Sequence, residues 1–183
     1  MSVQLLSFNG YHGHIEPDTG PDSTVTVNGA PVVANGAAYP ATHLAQLRTG
    51  HKNSFTVAVG DLIGGSTFTS GFFHDEPSVE PLNAMKLDVS GVGNHEFDEG
   101  VTGLLRMQKG GCHSVDGCLQ QNAKGKDIKC PGADFTWLAA NVVSQKIGLT
   151  VLPWTWLKKV GDAKISMALE GTDSLVAPSG IVG

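Results

Sequence analysis

Three short apolar runs, Val3 to Phe8, Ser54 to Val59 and Leu87 to Val92, each break at a glycine into a cluster of polar residues. This recurrence constrains the fold more than any other feature, because a run of that length bounded by turn residues reads as a buried strand. Helical patterns lie between and after the runs. Ala41 to Arg48 carries Leu44 and Leu47 at helical spacing and is stopped by Gly50, with Pro40 tolerated only near its first turn. Ser78 to Met85 and Glu99 to Gln108 read the same way, the latter turning Leu104, Leu105 and Met107 inward. Strands alternating with helices predict an α/β domain whose site lies at the carboxyl ends of the strands.

The remaining segments are less regular. Glu16 to Asn35 is rich in Pro, Gly, Asp and Thr and reads as a surface excursion, with Val25 and Val27 in one small edge strand. Phe135 to Val143 and Val151 to Val160 read as further strands, the second continuing to Ile165 through a turn at Gly161-Asp162. Trp154 and Trp156 alternate about Thr155, so sheet packing on one face is expected. His14, His43, His51, His74 and His113 read as solvated side chains.

With 183 residues, 40% apolar and 16% charged, the chain can bury one core, so residues 1–183 read as one domain or most of one. A net charge of −5 without a basic run offers nothing to a nucleic-acid backbone or an anionic membrane, so no nucleic-acid partner is expected. No stretch approaches the roughly 20 apolar residues of a membrane span, and Met1-Ser2-Val3-Gln4 lacks the features of a signal peptide. Cys112 and Cys118 flank a loop whose Asp116-Gly117 favours a turn, leaving three readings: a disulfide, free thiols, or a zinc site without CxxC spacing. Cys130 is left over as a free thiol.

The chemistry lies in the polar clusters: Tyr11-His12-Gly13-His14, Gly60-Asp61, and Gly93-Asn94-His95-Glu96-Phe97-Asp98. Singly, each is ordinary turn chemistry; their order and separation carry the signal. Asn9-Gly10-Tyr11-His12-Gly13-His14-Ile15-Glu16-Pro17, Val59-Gly60-Asp61-Leu62-Ile63-Gly64 and Leu82-Asn83-Ala84-Met85 running to Asp98 resemble the calcineurin-like metallophosphoesterases. The closer resemblance is to their 5'-nucleotidase branch, with weaker support from Trp137 to Val143 and from Leu169-Glu170-Gly171-Thr172. The resemblance implies an incomplete metallophosphoesterase-type sandwich of mixed β-sheets flanked by helices. It further implies two divalent ions, zinc, manganese or similar, acting on a nucleotide or other phosphomonoester.

By that resemblance Asp61 bridges both ions, His12 binds the first, and Asn94 binds the second through its amide oxygen. His95 stabilises charge on the leaving group, and Asp98 orients its ring. Such ligand types suit hard or borderline cations, and a pair of ions can clamp a phosphate and activate water. The family's export, together with the Cys112/Cys118 pair, implies an extracellular or periplasmic location.

The chain also departs from the pattern. Gly10 stands where the family places an aspartate two residues before the first metal-binding histidine, and Glu16 and Asp18 are poor substitutes. Further histidine ligands and the nucleotide-gripping domain are expected from a C-terminal segment or second chain beyond these residues. Pro81 falls within a helix, unless the helix begins there, and Lys164 to Met167 reads as a shortened central strand. These departures leave two expectations: an impaired phosphoester hydrolase, or a degenerate, non-catalytic domain retaining the scaffold with weak metal or phosphate binding.

Overall fold

The computed structural model describes residues 1–18, 20 and 23–171. Four parallel strands form its centre: β1 (Gln4–Phe8), β4 (Ser54–Ala58), β5 (Val89–Ser90) and β8 (Thr136–Trp137), in that spatial order. The register runs from Gln4 opposite Ser54 to Phe8 opposite Ala58, then Val57 opposite Val89 and Ser90 opposite Trp137. Helical connections separate consecutive strands, as parallel pairing demands. They are α1 (Ala38–Arg48), then α2 (Phe68–Gly71) with α3 (Glu76–Ala84), then α4 (Gly100–Lys109).

Antiparallel hairpins complete the mixed architecture: β2 (Thr24–Val27) with β3 (Ala30–Val33), β6 (Gln120–Gln121) with β7 (Asp127–Ile128), and β9 (Trp156–Val160) with β10 (Ala163–Met167). The core gathers Val79, Leu82, Leu104 and Met107 from the helices, and Ala58, Phe97, Phe135 and Trp137 from the strands and loops. Polar side chains lock the layers. Arg48 donates to the Met85 carbonyl at 2.6 Å and to Thr56 Oγ1, tying the end of α1 to α3 and β4. Asn83 donates to the Gly132 carbonyl at 3.0 Å and accepts the Asp134 amide at 2.8 Å, aligning the approach to β8.

Several sequence expectations need correction. The strands expected over Leu87 to Val92 and Phe135 to Val143 contract to two residues each, bounded by single hydrogen bonds from the Asp88, Gly91 and Leu138 amides beyond which the backbone turns into loops. The lone edge strand at Val25 and Val27 is one arm of a hairpin, closed where Asn28 and Gly29 adopt positive φ. Helix α3 does not begin at Pro81. It starts at Glu76 with Pro77 in its first turn and carries Pro81 inside. Lys164 to Met167 belongs to β10, in a separate hairpin rather than the central sheet.

The two tryptophans also part company. Trp154 lies outside the strand and is 65% exposed, whereas Trp156 packs edge-on against Phe55 with centroids 5.6 Å apart. His74 and His113 are partly buried and stacked on each other, not solvated. Cys112 and Cys118 are joined in a disulfide, and Cys130 is a buried free thiol. Thr172, part of the weaker family phrase, lies outside the described residues.

Candidate metal and phosphate site

The loops leaving β1, β4 and β5 converge at one edge of the sheet, and backbone pairing continues beyond the strands. The Gly10 amide donates to the Gly60 carbonyl at 3.3 Å, His12 to Asp61 at 3.0 Å, and Gly13 to Leu62 at 3.3 Å. His12 and Asp61 therefore sit side by side, both held at positive φ, 44° and 54°, in a region that disfavours non-glycine residues. Backbone strain of this kind concentrates at functional sites when the surrounding structure enforces it.

The side chains meet across this seam. His12 Nε2 lies 4.0 Å from Asp61 Oδ2, and the His12 and His95 rings meet edge to face with centroids 5.0 Å apart. His12 Nδ1 is 2.9 Å from the Gly64 carbonyl. Donation to that carbonyl places the proton on Nδ1 and leaves the Nε2 lone pair free as a cation ligand. His95 Nδ1 is 3.0 Å from Asp98 Oδ2, and that hydrogen bond holds the imidazole pKa above its ordinary value. The same Asp98 oxygen accepts the Gly65 amide at 2.9 Å. Asn94 precedes the 3-10 turn His95–Phe97, but its side chain does not cap that turn.

Glu96, only 2% exposed, fastens the assembly. Its carboxylate accepts the amides of Asp61 at 2.9 Å, Leu62 at 2.8 Å and Gly93 at 2.6 Å, bonding the loops after β4 and β5 to one side chain. Burial raises its pKa, opposed by those three amides. A Cβ at Gly93 would overlap Asp61 Oδ1, so only glycine lets the third loop come this close. Asp75 adds a brace from the start of α3, accepting the Gly64 amide at 3.0 Å while Gly64 receives His12.

His12, Asp61, His95 and Asp98 are thus brought together, with Asn94 on the same loop as His95. Glu96, Gly64 and Asp75 were not singled out as positioning residues from sequence, since they act through backbone groups of distant segments. The glycine pair Gly64-Gly65 directly after Asp61 was the one available signal. A cleft of about 500 Å³ lies beside Gly10, lined also by His14, Asp18, Asn35 and Tyr39. Asp18 is engaged there with His14 at 2.7 Å and with Asn35 at 3.1 Å, so it does not replace the missing carboxylate. His14 is correspondingly paired rather than merely hydrated.

An imidazole nitrogen and a carboxylate 4.0 Å apart, on a backbone fixed by unrelated hydrogen bonds, are a donor pair suited to one divalent cation. A parallel sheet bearing such donors at its carboxyl edge defines a chain of the metallophosphoesterase fold class. A solved structure of NAD nucleotidase from Haemophilus influenzae matches 99% of this chain and 28% of its own, with a TM-score of 0.69 and 22% identity, which bears on the fold alone. Among curated proteins, the chain is 33% identical over 165 residues to an uncharacterized protein of Acinetobacter calcoaceticus, covering 87% of this chain and 79% of that one. It is 34% identical over 184 residues to the endonuclease YhcR of Bacillus subtilis, covering 98% of this chain but 14% of that protein. The snake venom 5'-nucleotidase of Crotalus adamanteus is 30% identical over 151 residues, 80% of this chain and 24% of the venom protein. No protein-family model matches the chain. The chain has a calcineurin-like phosphoesterase fold, its solved neighbours and curated homologues include 5'-nucleotidases, and it spans about a quarter or less of the length of those it matches.

Proposed function

We propose that this chain forms part of the catalytic domain of a metal-dependent phosphomonoesterase acting on nucleotides. The observation that carries the reading is the meeting of His12, Asp61 and His95 at the carboxyl edge of the sheet, with centroid and donor separations of 4.0 to 5.0 Å. In this reading His12 Nε2, the Asp61 carboxylate and the Asn94 amide oxygen would hold the divalent ions, together with donors not among the described residues. A bound divalent ion supplies charge neutralisation at phosphate and acidifies water.

The chain's own groups do the rest. Asp98 keeps the Nδ1 proton of His95, so Nε2 faces substrate, and the raised pKa favours the imidazolium that neutralises a phosphate or leaving-group oxygen. Glu96 and Asp75 hold the loops so that these donors need not reorganise. The disulfide, and relatives named for snake venom and the cell wall, support an exported location. The endonuclease name belongs to a protein of which this chain matches 14%, and the net charge of −5 argues against nucleic acid as substrate.

Hydrolysis of p-nitrophenyl phosphate and of nucleoside monophosphates with added Mn²⁺ tests the reading. Replacing Asp61 or His95 with alanine should reduce turnover at least ~100-fold. Gly10 favours a second reading, a non-catalytic domain that retains one weak cation site. Turnover indifferent to both substitutions, or absent while one equivalent of Mn²⁺ still binds, would establish that second reading.

A further inference from the structure

A second grouping of ligand-type side chains lies away from the candidate centre, between the turn before α3 and the disulfide-closed loop. His74 Nδ1 lies 2.5 Å from Glu99 Oε1, and His74 Nε2 lies 2.9 Å from Asp116 Oδ2. His113 stacks on His74 with centroids 3.8 Å apart, and its Nδ1, which accepts the Asp116 amide at 3.1 Å and so leaves Nε2 as the ligand atom, lies 3.1 Å from the same Asp116 oxygen. One donor atom from each of His74, His113 and Asp116 falls within 4.8 Å of the others.

The contact between His74 and Asp116 requires a cation. A neutral ring has one N–H for two carboxylates, so His74 either carries both protons and donates to Glu99 and Asp116 alike, or has a metal ion in place of the Nε2 proton. A carboxylate on the far nitrogen of a histidine is also the arrangement that orients metal-ligating imidazoles and raises their basicity. The local charge agrees, with Glu76, Glu99 and Asp116 set against Arg106 alone among the named neighbours.

The supporting frame is cross-linked. The Cys112–Cys118 disulfide closes the loop, and His113 and Gly117 exchange backbone hydrogen bonds at 2.9 and 3.1 Å, so His113 and Asp116 are presented together. On the other side His74 and Asp75 both hold positive φ, 53° and 59°, which points the His74 ring at that loop.

We propose that His74, His113 and Asp116 form a structural site for a zinc-like divalent ion, with Glu99 orienting His74. Two imidazoles and a carboxylate suit zinc, and the Asp116 oxygen, now 2.9 Å from His74 Nε2 and 3.1 Å from His113 Nδ1, must move to about 3.3 Å from each ligating nitrogen for tetrahedral binding. The ion would clamp the disulfide loop to the turn whose Asp75 braces Gly64. The site is separate from the candidate phosphoesterase centre and does not depend on that reading.

The test uses the full chain with Asp61→Ala, which removes the first centre, and titrates Zn²⁺ alone by calorimetry with the disulfide intact. One equivalent should bind and raise the melting temperature. Adding His113→Gln or Asp116→Asn should weaken binding at least tenfold, with the circular dichroism spectrum unchanged. Glu99→Gln should weaken it by about 10-fold without altering stoichiometry. Co²⁺ should show visible bands of a four- or five-coordinate site that vanish in the His113→Gln chain. No Zn²⁺ binding would overturn the site and assign the gap to a proton on His74. Binding insensitive to His113→Gln and Asp116→Asn, or appearing only after the disulfide is reduced, would overturn it equally.

Discussion

At the scale of single residues, Gly10 and Glu96 pull in opposite directions. Gly10 has φ +63° and open space where a Cβ would stand. Aspartate tolerates that backbone better than most residues, at a cost of about 1 kcal/mol. Gly10→Asp should therefore tighten Mn²⁺ binding at least ~10-fold by titration calorimetry, and an unchanged affinity would sink the assignment of His12 and Asp61 to one ion. Glu96→Gln replaces an acceptor for three amides with a group that must turn its own N–H toward one of them. The expected loss is about 1–3 kcal/mol in urea unfolding, and an unshifted midpoint would refute the clamp. Burial pushes the Cys130 thiol above its ordinary value. Its contribution to stability is complete below the unfolded thiol pKa and lost as pH rises through the folded one. Alkylation of Cys130 should accordingly be slow in the native state, with stability declining above about pH 9. Rapid native-state modification would show the thiol to be accessible.

At the scale of elements, α3 carries its own conflict. Pro81 sits inside the nine residues Glu76–Ala84, where it removes an amide donor and crowds the preceding turn. Pro81→Ala should stabilise the chain by about 1–3 kcal/mol in thermal unfolding; no gain would mean that the proline's rigidity in the unfolded chain offsets the lost bond. Much at this scale was legible in the sequence. The strands and helices that carry the site follow apolar periodicity, and each cluster begins where a strand stops at a glycine. The residues placed at those ends, His12, Asp61, His95 and Asp98, consequently meet. Less legible were β5 and β8, because an apolar run records burial and not pairing, and Val92 and Leu138 are buried outside any strand. Glu96 and Asp75 were illegible for a different reason. Each acts on amides that lie 34 and 11 residues away, which periodicity does not encode.

For the molecule as a whole, the sheet order makes β1 an edge strand among the described residues, and Leu5 on it is 57% exposed. An open strand edge with an apolar side chain invites pairing between chains. Leu5→Lys should reduce concentration-dependent association in sedimentation experiments while changing stability by less than about 0.5 kcal/mol. Unaltered sedimentation would exclude this edge as the route of association. The Glu96 carboxylate has a wider bearing on how the molecule behaves when loaded. Since the buried Glu96 side chain already welds both loops together, the mould for an incoming cation is cast during folding itself. Amide hydrogen exchange around Asp61 and Gly93 should then be slow before any ion is added, and loading should buy affinity without a further ordering penalty.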